Sequence, residues 1–362
     1  MVYIYVGIIV CILAAIVDAN RNIINFGKFP VEIINNVIFF VIFFILFILA
    51  GLRYNVGTDY LTYSRLQIPE VLSGVNYRVE ILYRWIIYVG NSLGDWQWIF
   101  ILTHFIIVFF ICLYIKKQSS LYFISYFILI FGTFYNYSLN AMRQAIAITI
   151  FLYATKYIKN NNFAKYVVLI IIAGLFHKSG FFYLPVYFLK DLSIGKKINK
   201  IGIVGIFIGA YILAAPIRNI ISIILTKINI YSNYFGSTLD NDAFRTMYAL
   251  FFILNVFTSI VCLCVYSKNK DLKIDITIQI LATFISSIAF VIPNAFRVIY
   301  MFSSIQITLV PNILMKIKNK ILRLLLIVLF LSVYLLIFYV FIVKHNWNGT
   351  LPYQIAKDFL GK

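Results

Sequence analysis

The sequence is poor in charge. Asp, Glu, Lys and Arg make up 12% of its 362 residues, where a soluble globular protein carries about 25%. A surface this poor in charge does not stay in water, which excludes a soluble enzyme, a secreted disulfide scaffold and a disordered chain. Acid is scarcest: 12 Asp and Glu stand against 31 Lys and Arg, for a formal net charge of +19. The basic residues sit in short clusters between apolar runs, which is how topology signals are distributed, not a groove for nucleic acid. Cys11, Cys112, Cys262 and Cys264 all lie in apolar runs. Cys262 and Cys264 are spaced for neither a CxxC redox pair nor a zinc site, so all four read as core packing, and no metal is called for. Tryptophan is scarce, 4 residues against 35 Phe and 27 Tyr. With many Ile, Asn and Lys this reflects AT-rich coding, so no aromatic binding face is inferred. A basic leader and an A-x-A cleavage site are missing from the start, so residues 2–17 read as a first span.

What is present is apolar: 63% hydrophobic residues and a mean hydropathy of +0.94. Crossing the hydrocarbon core takes about 20 apolar residues. Runs near that length lie at 2–17, 33–50, 98–115, 121–137, 141–158, 201–217, 246–266, 274–292, 298–315 and 321–343. The expected fold is an all-α polytopic membrane protein, a single domain over 1–362 with about ten full transmembrane helices. Segment 166–190 is also apolar, but Phe176, His177, Lys178, Ser179 and Gly180 break it. Lysine clusters mark the cytoplasmic side: Lys116 and Lys117; Lys156, Lys159 and Lys165; Lys190, Lys196, Lys197 and Lys200; Lys268, Lys270 and Lys273; Lys316, Lys318 and Lys320. All are cytoplasmic only if 166–190 enters and leaves on one side, as a re-entrant hairpin or two short tilted helices with His177 at the outward tip. Both termini then lie outside.

This topology places most lysines inside and eight of the ten arginines outside. Arginine binds phosphate or carboxylate through a planar fork, whereas lysine is a hydrated point charge. An Arg-rich outer face therefore suggests an anionic ligand there. The outer segments are 51–97, 218–245 and the tail from Lys344. Within 51–97, Ile81, Leu82, Trp85, Ile86 and Val89 share a face and Glu80 and Arg84 another, as in a helix lying in the interface plane. Gly205 and Gly209 are spaced for close helix packing.

Four outer constellations carry polar residues. Gly51-Leu52-Arg53 and Gly57-Thr58-Asp59-Tyr60, with Tyr63, follow a span; Arg53 either pairs with Asp59 or holds an anion. Asn140, Arg143 and Gln144 open the 141–158 span. There Asn140 could cap the helix, and an anion would reconcile Arg143 with the positive helix end; the alternative is an arginine snorkelling to headgroups. His177 suits proton transfer near neutrality, or merely ends a half-helix. Pro293-Asn294-Ala295-Phe296-Arg297 forms a turn, with Arg297 near another helix start. His104 reads as a packing histidine, His345 as interfacial, and Asp240-Asn241-Asp242 as a solvated loop.

In this order and spacing the motifs resemble the EpsG family of bacterial membrane proteins, which belongs with the Wzy-class polysaccharide polymerases. The resemblance rests on Gly51-Leu52-Arg53, Gly57-Thr58-Asp59-Tyr60 and Tyr63, on Arg143-Gln144-Ala145, on Phe176-His177 with Ser179, and on Pro352-Tyr353. Gly180 departs from it, since related sequences often have Ala there. The resemblance implies polymerisation of capsule, O-antigen or exopolysaccharide repeats on a polyprenyl-pyrophosphate carrier. The place would be the outer face of the bacterial cytoplasmic membrane. The implied partners are a repeat-unit flippase and a chain-length regulator.

The residues suit that chemistry. Breaking the anomeric bond releases pyrophosphate, whose developing charge needs preorganised cations; Arg53, Arg143 and Arg297 are candidates, with Gln144, Tyr60 and Tyr63 beside them. The acceptor hydroxyl needs a base, His177 first, with Asp59 or Glu80 behind it. No nucleotide or redox cofactor is required. The rival readings are a flippase for the same lipid-linked sugars, an O-antigen-ligase-like transferase and a membrane acyltransferase. A transporter should carry functional charge at mid-membrane, and here the charge clusters outside.

Overall fold

The computed structural model describes residues 1–21, 28–74, 78–191, 200–227, 245–266, 270–291 and 294–360. Asp240, Asn241, Asp242, Pro293, Lys196, Lys197 and Lys268 fall outside them. The helices are α1 (Val2–Asn20), α2 (Lys28–Gly51), α3 (Ile68–Leu72), α4 (Ile81–Ser92), α5 (Gln97–Gln118), α6 (Tyr122–Phe131), α7 (Phe134–Asn140), α8 (Met142–Lys159), α9 (Phe163–Phe176), α10 (Lys200–Lys227), α11 (Arg245–Tyr266), α12 (Lys273–Ser287), α13 (Phe296–Ser303), α14 (Gln306–Lys316) and α15 (Lys320–Phe338). Among the described residues there is no strand, only an isolated bridge between Arg53 and Ile355. That follows from the composition: in lipid, backbone polar groups must be satisfied within the segment, and a helix does this. The chain falls into two compact units, Met1–Tyr187 with Leu326–Lys362, and Phe188–Leu325.

Five helical stretches among the described residues are long and apolar enough to cross a membrane, in α1, α2, α5, α11 and the 320–344 stretch that α15 opens. Counting two bent pairs as single spans raises this to seven: the two halves of α10 about Pro216, and α13 with α14. The chain is thus a multi-pass membrane protein, but the expected ten full spans are too many. The apolar runs are there; their helices are shorter or more polar than hydropathy implies. Run 121–137 breaks at Gly132 and Thr133, where Thr133 takes a left-handed φ of 67°. Run 141–158 is continuous as α8, but that helix, Met142–Lys159, holds Arg143, Lys156 and Lys159. Run 274–292 yields only the 15 residues of α12.

In the first unit α5 packs on α2, α4 and α8, and α8 on α9. With 22 residues at about 1.5 Å each, the ends of α5 lie roughly 33 Å apart. One end is rich in lysine. There Lys159 Nζ donates to Gln118 Oε1 at 2.9 Å and Lys116 Nζ to Asn36 Oδ1 at 2.7 Å. Asp18 accepts from the N–H groups of Tyr122 and Phe123 at 2.9 and 2.8 Å, satisfying donors that α6 leaves open at its start. The other end gathers 51–60, 80, 140–143, 177–179 and the tail.

The chain reverses at His177. Residues Lys178–Asp191 form a 3₁₀ helix; its portion within the first unit returns along α9. Tyr166 donates to the Tyr183 carbonyl at 2.6 Å, and the rings of Phe163 and Tyr187 meet edge to face at 4.9 Å. A Cβ on Gly180 would lie 2.6 Å from the backbone of Ala173 and Gly174, so this crossing has room only for glycine.

Helix α4 has two apolar faces. Tyr83, Ile86, Ile87 and Gly90 are buried against the protein, while Ile81, Trp85, Tyr88 and Val89 are exposed. The face read from the sequence is mostly the outward one.

The second unit has a polar centre. Asn255 on α11 donates to Ser286 Oγ at 2.9 Å and accepts from Gln279 and Gln306 at 3.0 Å each. Ser303 donates to the same Asn255 oxygen at 3.0 Å. All five side chains are buried. In an apolar medium such bonds hold helices together where no hydrophobic gain between helices exists. Among the described residues, Gly205 and Gly209 on α10 have no neighbour within 4 Å of where a Cβ would stand, so no close crossing is seen at their spacing. Cys11 and Cys262 are buried as expected, but Cys264 is exposed.

Candidate functional site

Arg53 is completely buried, and its surroundings account for all five guanidinium donors. Nε–H donates to the Val56 carbonyl at 3.0 Å and Nη1 to that of Ala50 at 3.1 Å. Nη2 reaches the Leu139 carbonyl at 2.6 Å and Met142 Sδ at 3.2 Å. The remaining Nη1 donor lies 3.0 Å from His104 Nε2. His104 Nδ1 sits 2.9 Å from the Phe100 carbonyl; a proton on Nδ1 serves that carbonyl and leaves Nε2 to accept from Arg53. No donor is left for a pyrophosphate oxygen, and Arg53 does not pair with Asp59. Both sequence readings of Arg53 are corrected: it is a buried clamp joining 50–56 to α5 and the start of α8. His104 packs as expected, with a polar task.

Arg143 has a different setting. Its Nη1 pairs with Glu80 Oε2 at 2.5 Å, the two side chains being 15% and 9% exposed. The guanidinium carbon lies 6.0 Å from the ring centres of both Tyr63 and Tyr83. The other Glu80 oxygen accepts from the Lys178 N–H at 3.1 Å. Glu80 therefore joins the start of α4, the start of α8 and the turn at His177. His177 Nδ1 lies 2.7 Å from Ser179 Oγ and 3.3 Å from the Ser179 N–H. In the shorter contact either group can donate: Nδ1–H donating to Oγ puts the lone pair on Nε2, while Oγ–H donating to Nδ1, together with the Ser179 N–H, leaves the proton on Nε2.

Asn140 does not cap α8, which has no side-chain cap. Its Oδ1 accepts instead from Thr58 Oγ1 at 2.8 Å and from the Asp59 N–H at 2.7 Å. Asp59 is thereby fixed beside α8. Gln144 is buried and accepts from Tyr137 at 2.7 Å, so its place is beneath the site surface. Arg297 belongs to the second unit, where it is the second residue of α13.

The tail runs along the 52–58 segment. Tyr54 N–H donates to the Gln354 carbonyl, Ala356 N–H to Leu52, Gly57 N–H to Gly349 and Thr58 N–H to Asn348, at 2.9, 2.9, 2.9 and 3.0 Å. Gly57 has a φ of 104°, which a side chain would strain. Tyr353 donates to the Leu49 carbonyl at 2.9 Å, and burial pushes its phenol up to about 12. Beside tail and loop opens a cleft of about 1160 Å³ that includes Tyr60, Trp96 and Tyr353 in its walls.

The EpsG family profile matches residues 36–355, nearly the whole chain and every element just described in the first unit from the end of α2 to the tail. The chain belongs to the EpsG family. EpsG is a Wzy-like polysaccharide polymerase family. Neither a curated protein nor a solved structure matches the chain. In this EpsG protein the sequence brought forward Arg143, Glu80 and His177 separately, and the structure joins them. It missed two tasks: Asn140 as clamp of the 58–59 turn, and the tail as partner of 52–58. Asn140 was flagged by its place beside Arg143, but the backbone pairing of the tail has no signature in side-chain type.

Proposed function

We propose that this protein polymerises polyprenyl-pyrophosphate-linked oligosaccharide repeats into a surface polysaccharide, by glycosyl transfer at the outer face of the cytoplasmic membrane. The observation that carries the reading is the junction of Arg143, Glu80 and the His177 turn at the end of the first unit opposite its lysines, in a chain of a polymerase family.

An acceptor hydroxyl attacks the anomeric carbon of the donor repeat, its proton passes to His177 Nε2, and the carbon–oxygen bond to pyrophosphate breaks with its electron pair going to the leaving oxygen. Arg143 stabilises the charge that develops there. Glu80 holds Arg143 and the 177–179 turn in register; bonded to both, it is a positioning residue before it is a base. This step uses the tautomer with its proton on Nδ1, in which Ser179 Oγ accepts from Nδ1–H and Nε2 carries the lone pair. Asp59 is the alternative base. The partners are a flippase that delivers repeats and a regulator of chain length.

The test is donor binding and single-turnover transfer by purified variants in lipid. Arg143→Lys keeps the charge but loses the fork, and donor binding should fall by tenfold or more. His177→Ala should bind donor as wild type does and transfer about 10²–10⁴-fold more slowly. Wild-type transfer by His177→Ala moves the base to Asp59. In cells, deletion should leave single translocated repeats on the carrier; repeats held on the cytoplasmic leaflet would establish a flippase instead.

A further inference from the structure

The cleft beside the tail has a chemistry unlike that around Arg143. Its walls include the rings of Tyr54, Tyr60, Trp96 and Tyr353 and the planar amides of Asn55 and Gln354. The charges on it balance, Arg65 and Lys357 against Asp95 and Asp358. A pyrophosphate calls for an excess of cationic donors, which this cleft does not offer. Aromatic faces with planar hydrogen-bonding groups suit a ligand that is apolar on its C–H faces and polar at its edges. Sugars have that pattern. At about 1160 Å³ the cleft exceeds the roughly 300–1,000 Å³ that holds a drug-sized ligand, so more than one sugar unit fits.

The walls are also braced. Tyr60 stacks on Phe100 with ring centres 4.7 Å apart and planes 13° from parallel, and the Arg53 guanidinium carbon lies 5.2 Å from the Phe100 ring centre. The tail wall is fixed by its backbone bonds to 52–58. A preformed wall loses little freedom when ligand binds. Tyr54 and Trp96, which line the cleft, are by contrast 51% and 41% exposed, so their side chains are not consumed by the core. Tyr60 and Tyr63, one helical turn apart, connect the cleft to Arg143: the first lines the cleft and the second lies beside the guanidinium.

We propose that this cleft is a glycan subsite, holding several neutral sugar units of a lipid-linked oligosaccharide or growing chain while transfer occurs beside Arg143. The proposal rests on the polymerase reading and adds to it where the sugars lie. Aromatic rings at a membrane surface also anchor in headgroups, and the test separates that use from sugar binding.

The probe is a mixture of oligosaccharides released by partial hydrolysis of the surface polysaccharide of the producing strain, free of lipid and pyrophosphate. Purified wild-type protein in lipid should bind it. Trp96→Ala and Tyr54→Ala should each weaken binding about tenfold and shorten the polymer made in cells. Trp96→Phe, which keeps a stacking face, should restore most of both, a recovery that a mere folding role would not show in protein of equal melting temperature. Unchanged binding and chain length in both alanine variants overturn the subsite. So does a Trp96 emission that responds to phospholipid vesicles of changed headgroup and not to oligosaccharide. If deletion of the gene leaves long polymer, the polymerase reading fails first; if deletion abolishes polymer and the cleft variants make normal lengths, only the subsite fails.

Discussion

Two arginines that look alike in the sequence do opposite things. Arg53 and Arg143 each lie near a span end in a short motif, and residue type alone makes both phosphate ligands. Arg53 loses that role because Leu139 and Met142, more than eighty positions away, come within reach of its fork. Such a convergence has no local sequence signal. Arg143 has instead a carboxylate partner at partial exposure, so the anion-binding role proposed for it is not closed off by its contacts. The variants should separate accordingly. Arg53→Ala leaves the carbonyls of Ala50, Val56 and Leu139 without donors, at about 1–3 kcal/mol each. It should therefore lower the melting temperature and yield of purified protein. Glu80→Gln should keep the fold and lower transfer, by loosening Arg143 and the 177–179 turn together. A Glu80→Gln protein with normal transfer would remove Glu80 from the positioning role.

At the scale of elements, the break at 176–180 was legible because Gly, Ser, Lys and His interrupt an apolar run. That the chain comes back as a 3₁₀ helix was not, since its residues carry the same composition as a span. The rise explains the economy: the portion of the 3₁₀ helix in the first unit, residues 178–187, at about 2.0 Å each reaches roughly 20 Å, against about 15 Å for the same stretch as α-helix. Gly180 is the narrow point of this hairpin. Alanine at this position, which the resemblance treats as ordinary, would overlap backbone atoms here. Gly180→Ala should cost about 1–3 kcal/mol, seen as a lower melting temperature, and displace the His177 turn enough to reduce transfer. An unchanged melting temperature and rate would mean that the hairpin opens freely. Helix α4 shows the same partial legibility: its period was plain, but a helix with apolar residues on both sides does not announce which side meets protein. Gly90 decides it, because its missing side chain lets Ile99 approach.

For the molecule as a whole, hydropathy gave the class of fold and overcounted the crossings, because an apolar run is a necessary condition for a span and a continuous helix is a separate one. The segregation of Lys from Arg is legible in sequence and has a counterpart in the first unit, where Lys116 and Lys159 lie at one end of α5 and Arg53 and Arg143 at the other. Which end faces the cytoplasm is a matter for labelling. In a background without the four native cysteines, Lys117→Cys should react only with reagent from the cytoplasmic side and Lys178→Cys only from outside. Reaction of both from one side would overturn the hairpin and the outward-facing site.

The pairing of 52–58 with the tail also has a consequence in time. Gly57 and Thr58 donate to carbonyls of residues 349 and 348, which the ribosome adds roughly 290 residues later. At about 5–20 residues per second, that interval is about 15–60 s. Throughout it the first loop is made but lacks its tail partner, and the N–H groups of Tyr54, Gly57 and Thr58 that the tail later pairs must be met by water or by the insertion machinery. The cleft wall is thus completed only when synthesis has passed residue 359, so a nascent chain halted before the tail is made should insert its helices and still bind no oligosaccharide.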